Sequence, residues 1–288
     1  VYCNGTIAKI VGTFIGRKNS LPVIWHVRNI QQTYILKSLF GYLSKFRCVK
    51  KIICVSNATA VPYEDVKEKV HVVYNGIDSK EFDHKKTESL LRTEYSISKK
   101  TVVIGSTGRI VKRKGYKDFI DVANRIIKEY DGKADIKFVI VGDTPYFFPV
   151  NHLNELKEQV KKLDIEKHFV FTGYKKDIKP YLKDFDVFVI PSNYPDPYPR
   201  SVIEAMSFSL PVIGFKIGGI AEAIEHEVTG FLCEPDGFDQ MKDNIKFLID
   251  NPAKRKKMGT ESRNRVIKIS SAPDRTKDIQ EIIMDTGN

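Results

Sequence analysis

The 288-residue sequence predicts an α/β protein of two doubly wound lobes facing each other across a cleft. Three observations carry that prediction. Short β-branched and aromatic runs, apolar on both faces, recur along the chain, as parallel strands covered by helices require. Amphipathic helical patterns alternate with them, which is repeated β-α wrapping. The apolar strand signal then lapses over the charge-dense stretch Ser79 to Lys100, placing a seam there. The first lobe is therefore expected at 1–80 and the second at 81–272.

Taken in order, residues 1–4 already read as strand, so the chain is expected to begin inside a domain with its first lobe incomplete. Val23–Val27, Lys51–Val55 and Val70–Tyr74 read as its further strands. From Thr33 to Lys51 the period is helical, with Ile35, Leu36, Leu39, Phe40, Leu43 and Phe46 on one face. Lys37, Lys45 and Arg47 fall elsewhere on it, and Tyr34 and Tyr42 are interspersed. Such a helix either packs on its own sheet or lies on an anionic membrane; the packed form is the common one. In the second lobe the strands are Val102–Ser106, Lys137–Val141, Phe169–Phe171, Val187–Ile190 and Pro211–Gly214. The helices are Tyr116–Tyr130, His152–Leu163, Arg200–Phe208 and Gln240–Ile249, with another from Pro273 to Met284.

Composition narrows the function. At 42% hydrophobic and 11% aromatic the chain can bury a substantial core. No apolar run reaches the roughly 18 residues that cross a bilayer. Cys3, Cys48, Cys54 and Cys233 show no metal-ligand spacing and suit a reducing compartment, so a cytoplasmic protein is expected, soluble or peripheral on a membrane. The net charge of +11 is uneven: from Val1 to Tyr63 there is no Asp or Glu, against nine Lys and Arg. That acid-free segment fits an anionic membrane surface or phosphorylated substrates. Nucleic acid is not expected, because no base-stacking aromatic motif or recognition helix accompanies the charge.

Two stretches carry chemistry. Gly105-Ser106-Thr107-Gly108-Arg109-Ile110-Val111-Lys112-Arg113-Lys114-Gly115 follows an apolar strand and precedes a helix. Small residues there let a ligand approach backbone, the helix start favours anions, and Arg109 and Lys114 can face a diphosphate. The plainer reading is a turn with solvated lysines. The second stretch, Pro191 to Met206, places Asp196 in a loop and Glu204 in the following helix, with Tyr198, Arg200 and Ser201 between. A carboxylate accepting sugar hydroxyls gains charge-assisted hydrogen bonds of about 1.5 to 3 kcal/mol each. Alone, the pair reads equally as two surface acids.

Together these stretches resemble the donor-site signature of the family 4 glycosyltransferases, which have the GT-B architecture. The resemblance spans nearly the whole chain. It implies that Gly108, Arg109, Lys114 and Gly115 grip the donor diphosphate, that Asp196 contacts the transferred sugar and that Glu204 holds the ribose. It also includes Val73-Tyr74-Asn75-Gly76-Ile77-Asp78, Val141-Gly142-Asp143, Phe171-Thr172-Gly173-Tyr174, where Gly173 and Tyr174 face the base, and Gly218-Gly219-Ile220-Ala221-Glu222. Trp25-His26-Val27-Arg28 resembles the strand end whose histidine points at the donor sugar, which makes His26 a catalytic candidate. Cys54-Val55-Ser56-Asn57 resembles another strand end, where Ser56 caps a helix. The final helix, 273–288, is expected to return to the first lobe. Departures are Asp196 in place of glutamate and Pro199 in place of glycine, with Arg200 supplying compensating charge.

The implied reaction moves a sugar from a nucleoside diphosphate to a glycan or lipid-linked acceptor, with retention, in cell-surface polysaccharide assembly. No bound metal or cofactor is expected, since cations take the leaving group's charge. The alternatives are a noncatalytic nucleotide-sugar-binding or membrane-docking module and a GT-B nucleotide-sugar epimerase.

Overall fold

A computed structural model describes residues 1–286. The chain builds two separate parallel sheets. In the first part run β1 (Tyr2–Asn4), α1 (Thr6–Lys18), β2 (Val23–Val27), α2 (Tyr34–Ser44), β3 (Val49–Cys54), α3 (Asn57–Ala60) and β4 (Val70–Val72). The second part continues with α4 (Leu91–Glu94), β5 (Val102–Thr107), α5 (Tyr116–Tyr130), β6 (Ile136–Val141), α6 (His152–Lys162) and β7 (Phe169–Gly173). It is completed by α7 (Lys179–Leu182), β8 (Val187–Ile190), α8 (Arg200–Ser207), β9 (Val212–Phe215), α9 (Ile220–Ala223), β10 (Gly230–Cys233), α10 (Phe238–Asp250), α11 (Pro252–Ile269) and α12 (Ala272–Met284). Among the described residues, no helix is long and apolar enough to cross a membrane.

The first sheet has the order β1-β2-β3-β4, without reversal. Right-handed crossovers then put α1 and α2 on one face. There Trp25, Val27, Phe40, Leu43, Ile52 and Tyr63 form the core. The other face carries Ile24, Ile53 and Val73, which pack against Ile279 and Ile282 of α12. α12 thus packs on the first sheet, and residues 287–288 of the helix expected over 273–288 lie outside the described residues. Its entry is pinned where Ile77 N–H donates to Ser270 C=O at 2.7 Å and Ala272 N–H donates to Ile77 C=O at 3.0 Å.

The second sheet runs β10-β9-β8-β5-β6-β7. Its order reverses between β5 and β8, so the crevice at their carboxyl ends is a topological switch point. The helices covering it follow the expected period: α5 buries Tyr116, Phe119, Ile120, Ala123 and Ile126. Gly105 in β5 lies so close to Phe185 that an added Cβ would stand 2.0 to 2.3 Å from three ring atoms.

The structure differs from the sequence reading in several elements. The helix expected over 33–51 stops at Ser44, because Lys45 N–H and Phe46 N–H turn back onto the carbonyls of Tyr42 and Leu43 and the β-branched run after Cys48 joins the sheet. α1, α11 and β10 carried no clear period. α1 packs through Lys9, Gly12, Thr13 and Gly16 rather than through its large apolar residues, and α11 buries only Met258, Gly259, Ser262 and Val266.

Gly105→Ala should overpack β5 against Phe185 and lower stability by about 1 to 3 kcal/mol, read by denaturant unfolding of the purified chain. An unchanged midpoint would show that the ring can move aside freely.

Candidate active site

The loops that follow β5 and β8 meet over the switch point, and glycines set their separation. Gly115 adopts φ +69°, and a Cβ there would stand 1.9 Å from the Pro191 carbonyl oxygen. Only glycine satisfies both demands. On the other side, Gly219 N–H donates to Asp196 C=O at 2.8 Å, and a Cβ at Gly219 would lie 1.9 Å from Pro197 O. The loop from Tyr194 to Pro199 is thus braced on two sides before any ligand arrives.

These loops line a cavity of about 630 Å³ between the two sheets. Its cations are Arg28, Arg109, Arg113, Lys114 and Arg200, and its acids are Asp196 and Glu204. Both carboxylates are paired: Lys114 Nζ meets Asp196 Oδ2 at 2.7 Å, and Arg200 Nε meets Glu204 Oε1 at 3.4 Å. The Arg113 guanidinium lies over the Tyr194 ring, 5.0 Å from its centroid. The cavity therefore keeps a surplus of positive charge, open to a diphosphate. α8 begins at its wall; Val202 N–H donates to Pro199 C=O at 3.2 Å, while the amides of Arg200 and Ser201 have no helical acceptor and no side-chain cap. Burial raises the Glu204 carboxyl above the usual carboxylate range, and Arg200 partly offsets this.

Of the residues singled out from sequence, Gly108, Arg109, Lys114, Asp196, Tyr198, Arg200, Ser201 and Glu204 line this one cavity. Tyr198 does so with its ring committed elsewhere: it stacks on Tyr74 at 4.7 Å, and its hydroxyl bonds Ser270 at 3.0 Å. Burial pushes that hydroxyl up to about 12. Gly173 and Tyr174 do not line the cavity; they end β7, beyond β6, and Tyr174 is exposed.

His26 does not line it either. Alternation turns Trp25 and Val27 to the α1–α2 core and leaves His26 on the opposite face with Ile24, inside β2 and short of the cleft, whereas Arg28 lies past the strand's last residue. There Tyr2 Oη sits 2.6 Å from His26 Nδ1, and burial together with Arg28 and Lys9 holds the imidazole down to about 4. The ring is neutral at physiological pH. The residue of this strand end that reaches the cleft is Arg28, whose guanidinium lies 3.5 Å from Asn75 Oδ1. Asn75 in turn donates to the Tyr198 carbonyl at 2.8 Å, joining the first lobe to the second loop. Arg28, Asn75, Arg113 and Tyr194 were not singled out as site residues. Each lies within two residues of one that was, or inside a quoted motif, and only the side-chain direction was missing.

Two facing parallel α/β sheets with a cationic cleft at a switch point have the GT-B architecture. Residues 88–265 match the family model Glycosyl transferases group 1, and the chain belongs to that family. The N-acetyl-alpha-D-glucosaminyl L-malate synthase of Bacillus anthracis is 29% identical over 197 residues, covering 68% of this chain and 49% of that protein. The UDP-Gal:alpha-D-GlcNAc-diphosphoundecaprenol alpha-1,3-galactosyltransferase of Escherichia coli is 25% identical, covering 99% of this chain and 75% of that one. Among solved structures, Anabaena Alr3699/HepE in complex with UDP superposes with a TM-score of 0.87 at 23% identity, over 99% of this chain and 78% of that one. This likeness concerns the fold. The chain spans about half the length of several curated relatives that it matches.

Because the Glu204 carboxyl is raised, the folded protein binds its proton more tightly than the unfolded chain does, so this group destabilises the fold above its folded pKa and the cost disappears below it. Unfolding free energy measured by denaturant titration should therefore fall as pH rises through a value above 4.5, with that step absent in Glu204→Gln. A step that persists in the variant would assign it to another group.

Proposed function

We propose that this chain carries the donor site of a retaining glycosyltransferase that moves a sugar from a nucleoside diphosphate to a glycan or lipid-linked acceptor in surface-polysaccharide synthesis. The observation that carries the reading is the convergence of Arg109, Lys114, Arg200 and the α8 amides with Asp196 and Glu204 in one braced cavity. Charge grows on the departing diphosphate in the transition state, and fixed cations and amide dipoles stabilise it without reorganising. The cations hold the diphosphate, and Glu204 accepts from the ribose hydroxyls. Asp196, already oriented by Lys114, accepts from the transferred sugar. Uridine is the first base to try, because Alr3699/HepE was solved with UDP and UDP-glucose and the Escherichia coli relative is named for UDP-Gal. That relative's acceptor is a diphosphoundecaprenol-linked sugar, which supports a lipid-linked acceptor here and work at the cytoplasmic face of a membrane. His26 stands outside the cavity, and we assign the contact from the first lobe to Arg28.

Titration calorimetry with UDP, GDP and ADP, then the matching nucleotide sugars, tests this. Saturable binding of one nucleotide is expected, weakened by about tenfold to a hundredfold in Arg109→Ala and Lys114→Ala, as loss of one charge-assisted hydrogen bond implies. No binding of any nucleotide would contradict the assignment.

A second outcome separates the two carboxylates. Glu204→Ala should weaken UDP itself, whereas Asp196→Ala should leave UDP within a few fold and lose the extra affinity contributed by the sugar. Equal UDP affinity in Glu204→Ala and the parent chain would remove Glu204 from the ribose role.

A further inference from the structure

Two of the quoted motifs take no part in lining the cleft cavity: Cys54-Val55-Ser56-Asn57, where β3 runs into α3, and Gly218-Gly219-Ile220-Ala221-Glu222, which leads into α9. They bond to each other across the two lobes. Glu222 Oε2 accepts from the Asn57 backbone N–H and from Asn57 Nδ2, both at 2.8 Å, and Glu222 Oε1 accepts from Ala58 N–H at 2.9 Å. Ser56, the cap expected from sequence, accepts from Thr59 N–H at 3.2 Å. The first amides of α3 are thereby divided between the lobes, Ser56 serving one and a carboxylate of the second lobe serving two.

The other end of this contact reaches the loop that carries Asp196. α9 follows Gly219, whose N–H donates to Asp196 C=O, and a Cβ on Gly218 would stand 2.6 Å from the same carbonyl oxygen. Arg265 of α11 fastens the helix from behind: its Nη2 donates to Glu222 C=O at 3.0 Å, its Nε to Ala223 C=O at 2.9 Å, and its Nη1 pairs with Glu225 at 2.9 Å. α9 cannot shift along the second lobe without breaking these contacts. In the first lobe, Val55 N–H donates to Val27 C=O at 3.2 Å just before α3, and Arg28 is the next residue after Val27. A continuous set of bonds thus runs from the backbone of Asp196, through one helical turn, to the strand end that presents Arg28 to the cleft. A contact that only satisfied the α3 amides would need none of this bracing, since water serves the amide of an exposed residue such as Asn57.

We propose that Glu222 is a positioning residue: its carboxylate holds the first lobe at the placement dictated by the Asp196 loop, and so aims Arg28 at the ligand in the cleft. Glu222 does not line the cavity and acts through α3 and the β2–β3 pair. Losing its charged acceptor shifts the balance between this arrangement and an opened one by about tenfold to a hundredfold, the range of one charge-assisted hydrogen bond. Ligands that need both lobes then bind more weakly, in proportion to the population lost. Contacts made by the second lobe alone, such as those of Arg109 and Lys114, keep their strength. The role of Arg28 toward a nucleotide sugar rests on the proposed transfer reaction, whereas the clamp between the lobes does not.

The test is a double-mutant cycle on the purified chain with Glu222→Gln and Arg28→Ala, read by calorimetric titration of UDP-glucose, with amide exchange at Asn57 and Ala58 followed by NMR. Glutamine keeps the length of the side chain but cannot accept from both amides without turning its own donor toward one of them. In Glu222→Gln the two amides should exchange at least about tenfold faster than in the parent. Arg28→Ala should weaken UDP-glucose about tenfold in the parent and less than about threefold in the Glu222→Gln background, a coupling that two independent stabilising sites do not show. Asn57→Ala removes only the side-chain donor; it should reproduce the pattern at smaller size, and it decides the question if the Glu222 variant does not fold. Unchanged amide exchange, or faster exchange with additive effects on affinity, overturns the proposal. If the parent binds no nucleotide, the donor reading fails by itself, and the clamp is then decided by amide exchange together with small-angle scattering, where a Glu222→Gln chain no more extended than the parent overturns it.

Discussion

The structure around the cleft depends on holding five like charges in one cavity. Arg28, Arg109, Arg113, Lys114 and Arg200 would repel each other and splay if their loops were free. Two constraints prevent this. The Lys114–Asp196 and Arg200–Glu204 pairs each set a carboxylate against a cation. The backbone beneath them is fixed by glycine contacts, Gly115 on Pro191 and Gly219 on Pro197, that no larger residue allows. Electrostatic catalysis draws on this kind of preorganisation, because dipoles and charges already in place need not move as the leaving group develops its charge.

The same constraint explains how the two lobes stay in register. Asn75 and Tyr74, at the end of the first lobe, contact Tyr198 in the loop that carries Asp196. Glu222, beside the bracing glycines, accepts from the backbone N–H groups of Asn57 and Ala58 at 2.8 and 2.9 Å. A carboxylate of the second lobe thus satisfies amides that begin a helix of the first. The position of Arg28 relative to the second-lobe cations of the cleft is consequently set by side chains at the lobe interface as well as by the chain passing through Ile77 and Ser271.

Much of this was legible in the sequence, and the exceptions have a common cause. Strands buried on both faces announce themselves by continuous apolar runs, so Val23–Val27 and Val187–Ile190 have the bounds expected of them. The loops that line the cavity were legible because their pattern is local: strand, small residues, cations and helix lie in unbroken order. What was hidden depended on how far along a strand a side chain lies and on which face of a helix is buried. His26 and Arg28 lie two positions apart at the same strand end, and only Arg28 lines the cavity. α1 was hidden because its buried stripe, Lys9, Gly12, Thr13 and Gly16, carries little hydrophobic signal, while Ile7, Val11, Phe14 and Ile15 are exposed. Periodicity reports amphipathicity and cannot say which face is inside.

The most direct measurement of the central claim is a crystal structure of this chain soaked with UDP. Density for the diphosphate between Arg109, Lys114 and the amino end of α8, with the ribose against Glu204, is the result this account predicts. A nucleotide bound elsewhere, or one whose phosphates contact none of these groups, would contradict it.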